Sequence, residues 1–198
     1  MHLLKPLVLA SRSPRRLHLL RQIGITPLVA PCEVPEEFSG ASPEDDAVTL
    51  ALRKARCVAG GFDDALILGA DTIVAVDGIL LGKPVDHADA RRMLALLSGK
   101  THIVHTAFAV VDRPSGYFVT GVESTRVTFR SLPAGEIEEY VAGGSPMDKA
   151  GAYGIQDDYG AVFVSRIEGC YYTVVGLPLS RLYVTLNEFQ HRIQTDHG

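Results

Sequence analysis

The feature that most constrains the fold is a near-continuous apolar run at residues 66–76. A strand that is apolar on both faces is typical of a sheet covered by helices on both sides. The dipeptide Asp77-Gly78 follows the run and is typical of a two-residue hairpin turn, after which residues 79–81 are predicted to return as a second strand. We therefore predict an α/β fold in which residues 66–76 form a buried strand.

A second stretch, residues 7–23, has the pattern of a strand, a turn and a helix. An apolar run at residues 7–10 is followed by Ser-Arg-Ser-Pro-Arg-Arg, in which Ser13 suits the N-cap and Pro14 the first helical position; Gly24 ends the helix. A helix N-terminus beside hydroxyl and guanidinium groups predicts a phosphate or other anion site. A solvated basic face, an ordinary capped helix and a minor-groove DNA contact stay open as alternatives. The DNA contact is disfavoured, because the motif occurs once in an acidic chain.

The remaining elements alternate between strands and helices. The predicted strands are residues 28–32, 103–111, 118–129 and a pair at 161–167 and 171–175. The predicted helices are residues 43–59 with Ser42 as cap, 86–97, 133–141 and 179–189. Residues 145–156 are interpreted as a glycine-containing loop, and residues 190–198, which show no usable pattern, as a disordered tail. Because hairpin-like pairs interrupt the β-α alternation, we predict a single elongated α/β domain over residues 1–198, with a mixed twisted sheet flanked by helices.

Composition excludes several classes of function. The 198 residues are 46% hydrophobic and carry a formal net charge of -4, which disfavours a general nucleic-acid or membrane surface. No apolar run approaches the ~18 residues of a membrane span, and the N-terminal stretch is too short for a secretory signal. The three cysteines form no CxxC pair, so we expect reduced thiols and a cytoplasmic protein. The seven histidines lack metal-ligand spacing, which disfavours a zinc site.

Two charged residues stand where apolar ones are expected. Asp71 interrupts the strand at residues 66–76, and a buried carboxylate must be paired, hydrogen-bonded or metal-bound. It is interpreted either as a metal ligand or base, or as a strand-end residue that bonds nearby backbone. Lys54 falls on the apolar stripe of the helix at residues 43–59, so it either extends along the surface or reaches into a cleft.

Two further features contribute charge. Lys83 lies between Gly82 and Pro84 in a rigid turn, and Glu36 lies in an acidic loop with Glu33 and Glu37. Loop carboxylates suit Mg²⁺ or Mn²⁺, although nothing local selects Glu36 over its neighbours. Together these features provide a helix N-terminus with arginines, two lysines and two carboxylates. Such groups can hold a metal-bound triphosphate and activate water. The spacing does not indicate which phosphorus is attacked, and neither a P-loop nor a GxSxG motif is present.

Several motifs in order carry a resemblance to a known family. They are Leu9-Ala10-Ser11-Arg12-Ser13-Pro14-Arg15-Arg16, Gly69-Ala70-Asp71-Thr72, Gly82-Lys83-Pro84, Ser98-Gly99-Lys100-Thr101-His102, the run from Asp148 to Gln156, and Val175-Gly176-Leu177-Pro178-Leu179. From about residue 7 to residue 182 the chain resembles the Maf family of nucleoside triphosphate pyrophosphatases. Its closing segments resemble the branch that acts on dTTP and UTP.

This resemblance implies attack at the α-phosphorus, which gives a nucleoside monophosphate and pyrophosphate. It also implies a divalent cation, an inosine-triphosphatase-like α/β fold and a homodimer. Asp71 matches the family's proposed proton acceptor, and Glu36 and Asp71 are the implied metal ligands. The implied substrate-binding residues are Ser11, Arg15, Arg16, Lys54 and Lys83. The positions associated with the choice of base are Arg15, Thr72 and Gln156.

Gln156 makes the choice of pyrimidine chemically sensible. A glutamine amide can donate to O4 and accept from N3–H of uracil or thymine, whereas cytosine presents the reverse pattern. Three alternatives stay open: a phosphatase that releases the terminal phosphate, a 7-methyl-GTP pyrophosphatase of the sister branch, and a nucleotide-binding cell-division regulator without turnover. Removal of modified pyrimidine nucleotides is a further hypothesis.

Overall fold

The structure is a computed structural model that describes residues 3–35, 37–39, 42–156 and 159–195. In these residues helices flank one mixed, open sheet, as the sequence predicts. The strands are β1 (Leu7–Leu9), β2 (Leu28–Val29), β3 (Ala65–Val76), β4 (Ile79–Leu81), β5 (Thr101–Arg113), β6 (Phe118–Phe129) and β7 (Val164–Glu168). The helices are α1 (Pro14–Gln22), α2 (Pro43–Ala59), α3 (His87–Leu97), α4 (Ala134–Ala142), α5 (Tyr171–Val175) and α6 (Leu179–Thr195). The sheet order is β2-β1-β3-β5-β6-β7, and β4 pairs with β3.

The described residues divide into two compact units. The first contains the chain up to Asp71, Thr106–Glu123 and the part from Gly176 onward; the second contains Thr72–His105 and Ser124–Val175. Strands β3, β5 and β6 contribute residues to both units. In the part of the chain that the structure covers, no helix is both long and apolar enough to cross a membrane.

The first unit is built on parallel pairing. β1 pairs with β2 on one side and with β3 on the other, and Leu9 lies opposite Leu68 of β3. β1 is fully apolar and buried, as expected for a strand in the interior of such a sheet. The predicted strand at residues 28–32 is shorter than expected: the register with β1 covers only Leu28 and Val29, which are both exposed.

The second unit contains the predicted hairpin and the start of the helix predicted at residues 86–97. β3 and β4 pair antiparallel around Asp77 and Gly78, whose φ angles are both positive (50° and 77°), as a primed hairpin turn requires. The Asp86 side chain accepts from the backbone N–H of Asp89 at 2.7 Å and so begins α3. On the other edge, β7 pairs antiparallel with β6.

The predicted strand pair at residues 161–167 and 171–175 is wrong in its second half. A 3₁₀ turn (Tyr159–Phe163) precedes β7, and residues 171–175 form helix α5 although they are mostly aromatic and β-branched. The corner between β7 and α5 explains the difference, because Thr125 Oγ1 accepts from Cys170 N at 2.9 Å and donates to Cys170 O at 3.0 Å. Gly169 has a φ of 128°, and a Cβ there would lie 2.7 Å from Thr125 Oγ1. Tertiary contacts therefore override local strand propensity.

The C-terminal tail is also ordered further than expected. Helix α6 continues through Thr195, because Leu186, Phe189 and Ile193 are buried at helical spacing. Gln190 is buried beside them, and its Oε1 accepts from Leu4 N at 2.7 Å. The expectation of a disordered tail is therefore wrong for residues 190–195, and residues 196–198 lie outside the described part.

The expectation that all three cysteines are reduced is wrong in this structure. Cys32 and Cys57 form a disulfide with a Cα–Cα distance of 6.2 Å, and Cys170 is free. Cys32 follows β2 and Cys57 lies in the last turns of α2, so both belong to the first unit. A separation of 25 residues along the chain gave no sign of this proximity, because only the packing of α2 brings the two thiols together.

We expect acid to destabilise the fold partly through His102, which lies on β5 between the rings of Phe129 and Tyr153. Burial lowers the pKa of its imidazole to about 4, whereas a histidine in the unfolded chain has a pKa of about 6.5. Between these values the unfolded chain binds a proton that the folded chain does not. The free energy of unfolding should therefore fall by roughly 3 kcal/mol as the pH is lowered from about 6.5 to 4. Urea unfolding across this range measures the loss, which should be smaller in His102→Gln; an equal loss would assign the effect to carboxylates.

Candidate active site

The N-terminus of α1 is organised by two serines. The Ser13 side chain caps the helix by accepting from Arg16 N at 3.5 Å. The buried Ser11 Oγ accepts from Ser13 N and from Arg16 Nη1, each at 3.2 Å. A hydroxyl has two acceptor lone pairs and one proton. Because both acceptor positions of Ser11 are used within the protein, its O–H is the group that can donate to an anion.

Arg16 links this helix end to a distant part of the chain. Its Nε donates to the carbonyl of Gly176 at 2.9 Å, across 160 residues of sequence. Arg15 and Arg16 are both half-buried. Arg16 is predicted to bind the substrate, and the structure adds its bond to Gly176. No local pattern could have indicated that contact.

Lys54 and Asp71 form an ion pair within the first unit. Lys54 Nζ contacts Asp71 Oδ1, and the two side chains are only 12% and 8% exposed. The neighbouring positions of the α2 stripe, Ala47 and Leu50, are fully buried. Lys54 therefore reaches inward instead of extending along the surface. Lys54 is thus the charged partner that the buried Asp71 carboxylate needs.

Gly69 lets α2 lie directly against β3. A Cβ at this position would lie 2.1 Å from the carbonyl oxygen of Ala51 and 2.7 Å from the backbone nitrogen of Ala55. These two residues flank Lys54 on the same helix. The absence of a side chain at residue 69 is therefore what allows the lysine to reach Asp71, two residues further along the strand.

The Ser11–Arg16 turn and the Asp71 carboxylate follow two adjacent strands of the sheet. β1 and β3 are adjacent parallel strands with Leu9 opposite Leu68, and Ala10 N donates to Leu68 O at 2.8 Å. Ser11 follows Leu9 by two residues and Asp71 follows Leu68 by three. The α1 N-terminus and Asp71 therefore follow paired positions of two adjacent strands.

The acidic segment before α2 is held by several contacts. Glu33 pairs with Arg12, and Glu37 lies 3.8 Å from Arg53. Ser39 donates through its backbone N–H and its hydroxyl to Asp46 Oδ1, at 2.7 and 2.6 Å. The predicted metal ligand Glu36 lies outside the described residues. Within the described ranges, no group of three His, Cys, Asp or Glu side chains is arranged to hold a metal ion.

The second unit contains the other predicted residues. Thr72 follows Asp71 on β3 and is half-buried, Lys83 is exposed in the turn after β4, and Gln156 is half-buried. The carbonyl of Gly82 accepts from Gly151 N at 3.0 Å, which joins the Lys83 turn to the segment that leads to Gln156. The structure thus brings Lys83 and Gln156 onto two linked segments of one unit.

Comparison with known proteins identifies the family of this chain. A family model described as Maf-like protein matches residues 6–189. The chain belongs to the Maf family. A dTTP/UTP pyrophosphatase of Moorella thermoacetica is 52% identical to this Maf-family chain over 174 residues, which are 87% of this chain and 89% of that protein. Proteins with the same name from Pelotomaculum thermopropionicum and Bacillus cereus are each 47% identical, over 96% and 94% of this chain and 100% and 91% of their own lengths.

Proposed function

We propose that this Maf-family chain is a nucleoside triphosphate pyrophosphatase that hydrolyses dTTP and UTP at the α-phosphorus, with release of the monophosphate and pyrophosphate. The observation that carries the proposal is the buried ion pair between Lys54 of α2 and Asp71 of β3. β3 is adjacent to β1, the strand that leads into α1. Relatives that share about half of its residues over nearly the whole chain carry the name dTTP/UTP pyrophosphatase. The proposed reaction and substrates are those in the relatives' name, and the Lys54–Asp71 pair provides a buried carboxylate and a cation for that reaction.

The triphosphate is assigned to the N-terminus of α1. Backbone N–H groups and the positive end of the helix dipole favour an anion there, and Ser11 can donate its hydroxyl proton. Arg15 and Arg16 add positive charge, and Lys54 and Lys83 offset charge that develops on the phosphates as the anhydride bond breaks. Removing one such donor from an active site commonly lowers the rate by about 10²–10³-fold.

Asp71 is assigned the role of general base. One carboxylate oxygen accepts from Lys54, which fixes the orientation of the group, and the other can accept a proton from the attacking water. Attack of that water on the α-phosphorus forms a P–O bond. The bond from this phosphorus to the bridging oxygen breaks, and pyrophosphate leaves with that oxygen. No covalent enzyme intermediate is required.

The residues present fit a divalent cation bound mainly through the substrate. Mg²⁺ is commonly held by one or two carboxylates together with substrate phosphates and water, not by a complete set of protein ligands. The buried carboxylate of Asp71 matches that mode, and we assign Glu36 as the second ligand. When bound, the cation neutralises charge on the phosphates. The donor set is all oxygen, which suits Mg²⁺ or Mn²⁺.

Base selection is assigned to Gln156, with Arg15 and Thr72. The Gln156 amide complements O4 and N3–H of uracil and thymine, and a mismatched edge would leave its polar groups unpaired. A site that hydrogen-bonds a substrate edge can reject a poor match by as much as ~10⁴-fold. We further propose a cytoplasmic homodimer that contacts neither nucleic acid nor membrane, and a role in removing modified pyrimidine nucleotides.

Product analysis tests the proposal. The protein is incubated with Mg²⁺ or Mn²⁺ and each of dTTP, UTP, CTP, ATP, GTP and 7-methyl-GTP, and the products are separated by anion exchange. We expect monophosphate and pyrophosphate from dTTP and UTP in preference to the others. Diphosphate with orthophosphate would move the attack to the terminal phosphorus, and preference for 7-methyl-GTP would move the chain to the sister branch. Binding without turnover would indicate a regulator.

A further inference from the structure

The segment that leads to Gln156 has an unusual backbone. Gly151 and Ala152 are consecutive residues with φ angles of 70° and 62°, and Ala152 is completely buried. An alanine in the left-handed region is strained, and such strain persists only where surrounding contacts determine the conformation. A Cβ at Gly151 would lie 3.1 Å from Val74, so the segment is also packed tightly against β3. Some contact must therefore hold this segment in place.

Two buried hydroxyl contacts hold the residues immediately before Gln156. Tyr153 Oη is 2.8 Å from His102 Nε2, and Tyr140 Oη accepts from Gly154 N at 3.3 Å. The ring of Tyr153 packs edge-on against those of His102 and Phe129, with centroids 5.4 and 4.8 Å away. In the first contact the segment contributes the Tyr153 side chain, whereas in the second it contributes only the backbone of Gly154.

The charge state of this contact is constant at working pH. Burial raises the pKa of the Tyr153 hydroxyl, and it lowers that of the His102 imidazole to about 4. Both groups are therefore neutral near pH 7, so the hydrogen bond joins two uncharged groups in an apolar cluster. A hydrogen bond between buried groups is stronger than one in water, which suits it to fix one conformation of the segment.

We propose that the His102–Tyr153 hydrogen bond positions Gln156 for base recognition, so that Tyr153 and His102 are positioning residues for selection of the pyrimidine. The inference rests on the proposed function, in which Gln156 contacts the base. The bond sets where the backbone of residues 153–156 lies, and a shift of that backbone would misalign the Gln156 amide with O4 and N3–H. Neither Tyr153 nor His102 is required to touch the nucleotide.

The test is Tyr153→Phe, which removes one oxygen and keeps the aromatic packing. Steady-state kinetics with UTP and CTP should show a KM for UTP raised about 10-fold with kcat nearly unchanged, because contacts to the base stabilise ground state and transition state alike. The ratio of kcat/KM for UTP to that for CTP should fall by a similar factor. His102→Leu should have the same effect, and the double variant should add little to either single change.

Ser98→Ala is the matched control. It removes a hydroxyl that accepts from Leu132 N at 2.8 Å in the same unit, a bond that joins the end of α3 to the residues before α4. It should lower stability without changing the UTP to CTP ratio. If Tyr153→Phe keeps the parent ratio of kcat/KM for UTP to that for CTP, whether or not both values fall, the positioning role is wrong while the proposed function stands. If the parent protein itself shows no preference for UTP, both proposals fail.

Discussion

The Asp71→Asn protein is expected to release pyrophosphate from dTTP and UTP about 10²–10⁴-fold more slowly than the parent. The amide has the size and shape of the carboxylate and can still accept from Lys54, but it cannot take a proton from water. The loss should therefore appear in kcat, while nucleotide affinity measured by calorimetry changes much less. Rapid-quench analysis of a single turnover would place the loss in the chemical step.

A second buried ion pair in the same unit provides the control for this experiment. Asp112 is completely buried and its Oδ1 lies 2.6 Å from Lys5 Nζ, so Asp112→Asn disturbs a lysine-carboxylate pair like that of Asp71. We expect Asp112→Asn to lower the melting temperature and to leave kcat close to that of the parent. Equal losses of kcat in the two variants would indicate that both act through stability. Full activity in folded Asp71→Asn would exclude Asp71 as the base.

Local elements could be predicted because their signals are local. Ser13, Ser42 and Asp86 cap the helices that their sequences indicate, since each side chain needs only a backbone N–H three residues further on. The place of Lys54 on the apolar stripe could also be predicted from helical periodicity, but whether its side chain extends along the surface or reaches inward could not. Its pairing with Asp71 could not be predicted, because the crossing of α2 over β3 depends on packing.

The parts that could not be predicted depend on distant contacts. The bond from Arg16 to Gly176, the Cys32–Cys57 disulfide and the helical conformation of α5 each depend on residues far apart in sequence. The same holds for the segment before Gln156. Ala152 has a positive φ there, which the intrinsic preference of alanine does not favour. Sequence patterns identified the candidate site residues, whereas the contacts that position them became visible only in the structure.

Gly69→Ala is expected to lower the free energy of unfolding by about 3 kcal/mol or more, at or above the usual range for overpacking. The added Cβ would meet backbone atoms of α2, at 2.1 Å from Ala51 O and 2.7 Å from Ala55 N. Backbone cannot move aside as a flexible side chain can, so the whole helix must shift away from β3. Urea unfolding monitored by circular dichroism measures the loss.

The same shift should also reduce turnover in the folded fraction, because Lys54 moves with α2 away from Asp71. Gly60→Ala is the matched control: it lies just after α2 with a φ of -65°, and a Cβ there meets nothing within 4 Å. We expect that variant to keep the stability and the kcat of the parent. If Gly69→Ala were as stable as Gly60→Ala, α2 would not rest on β3 as closely as described. If it were destabilised but fully active when folded, contact between Lys54 and Asp71 would not be needed for the reaction.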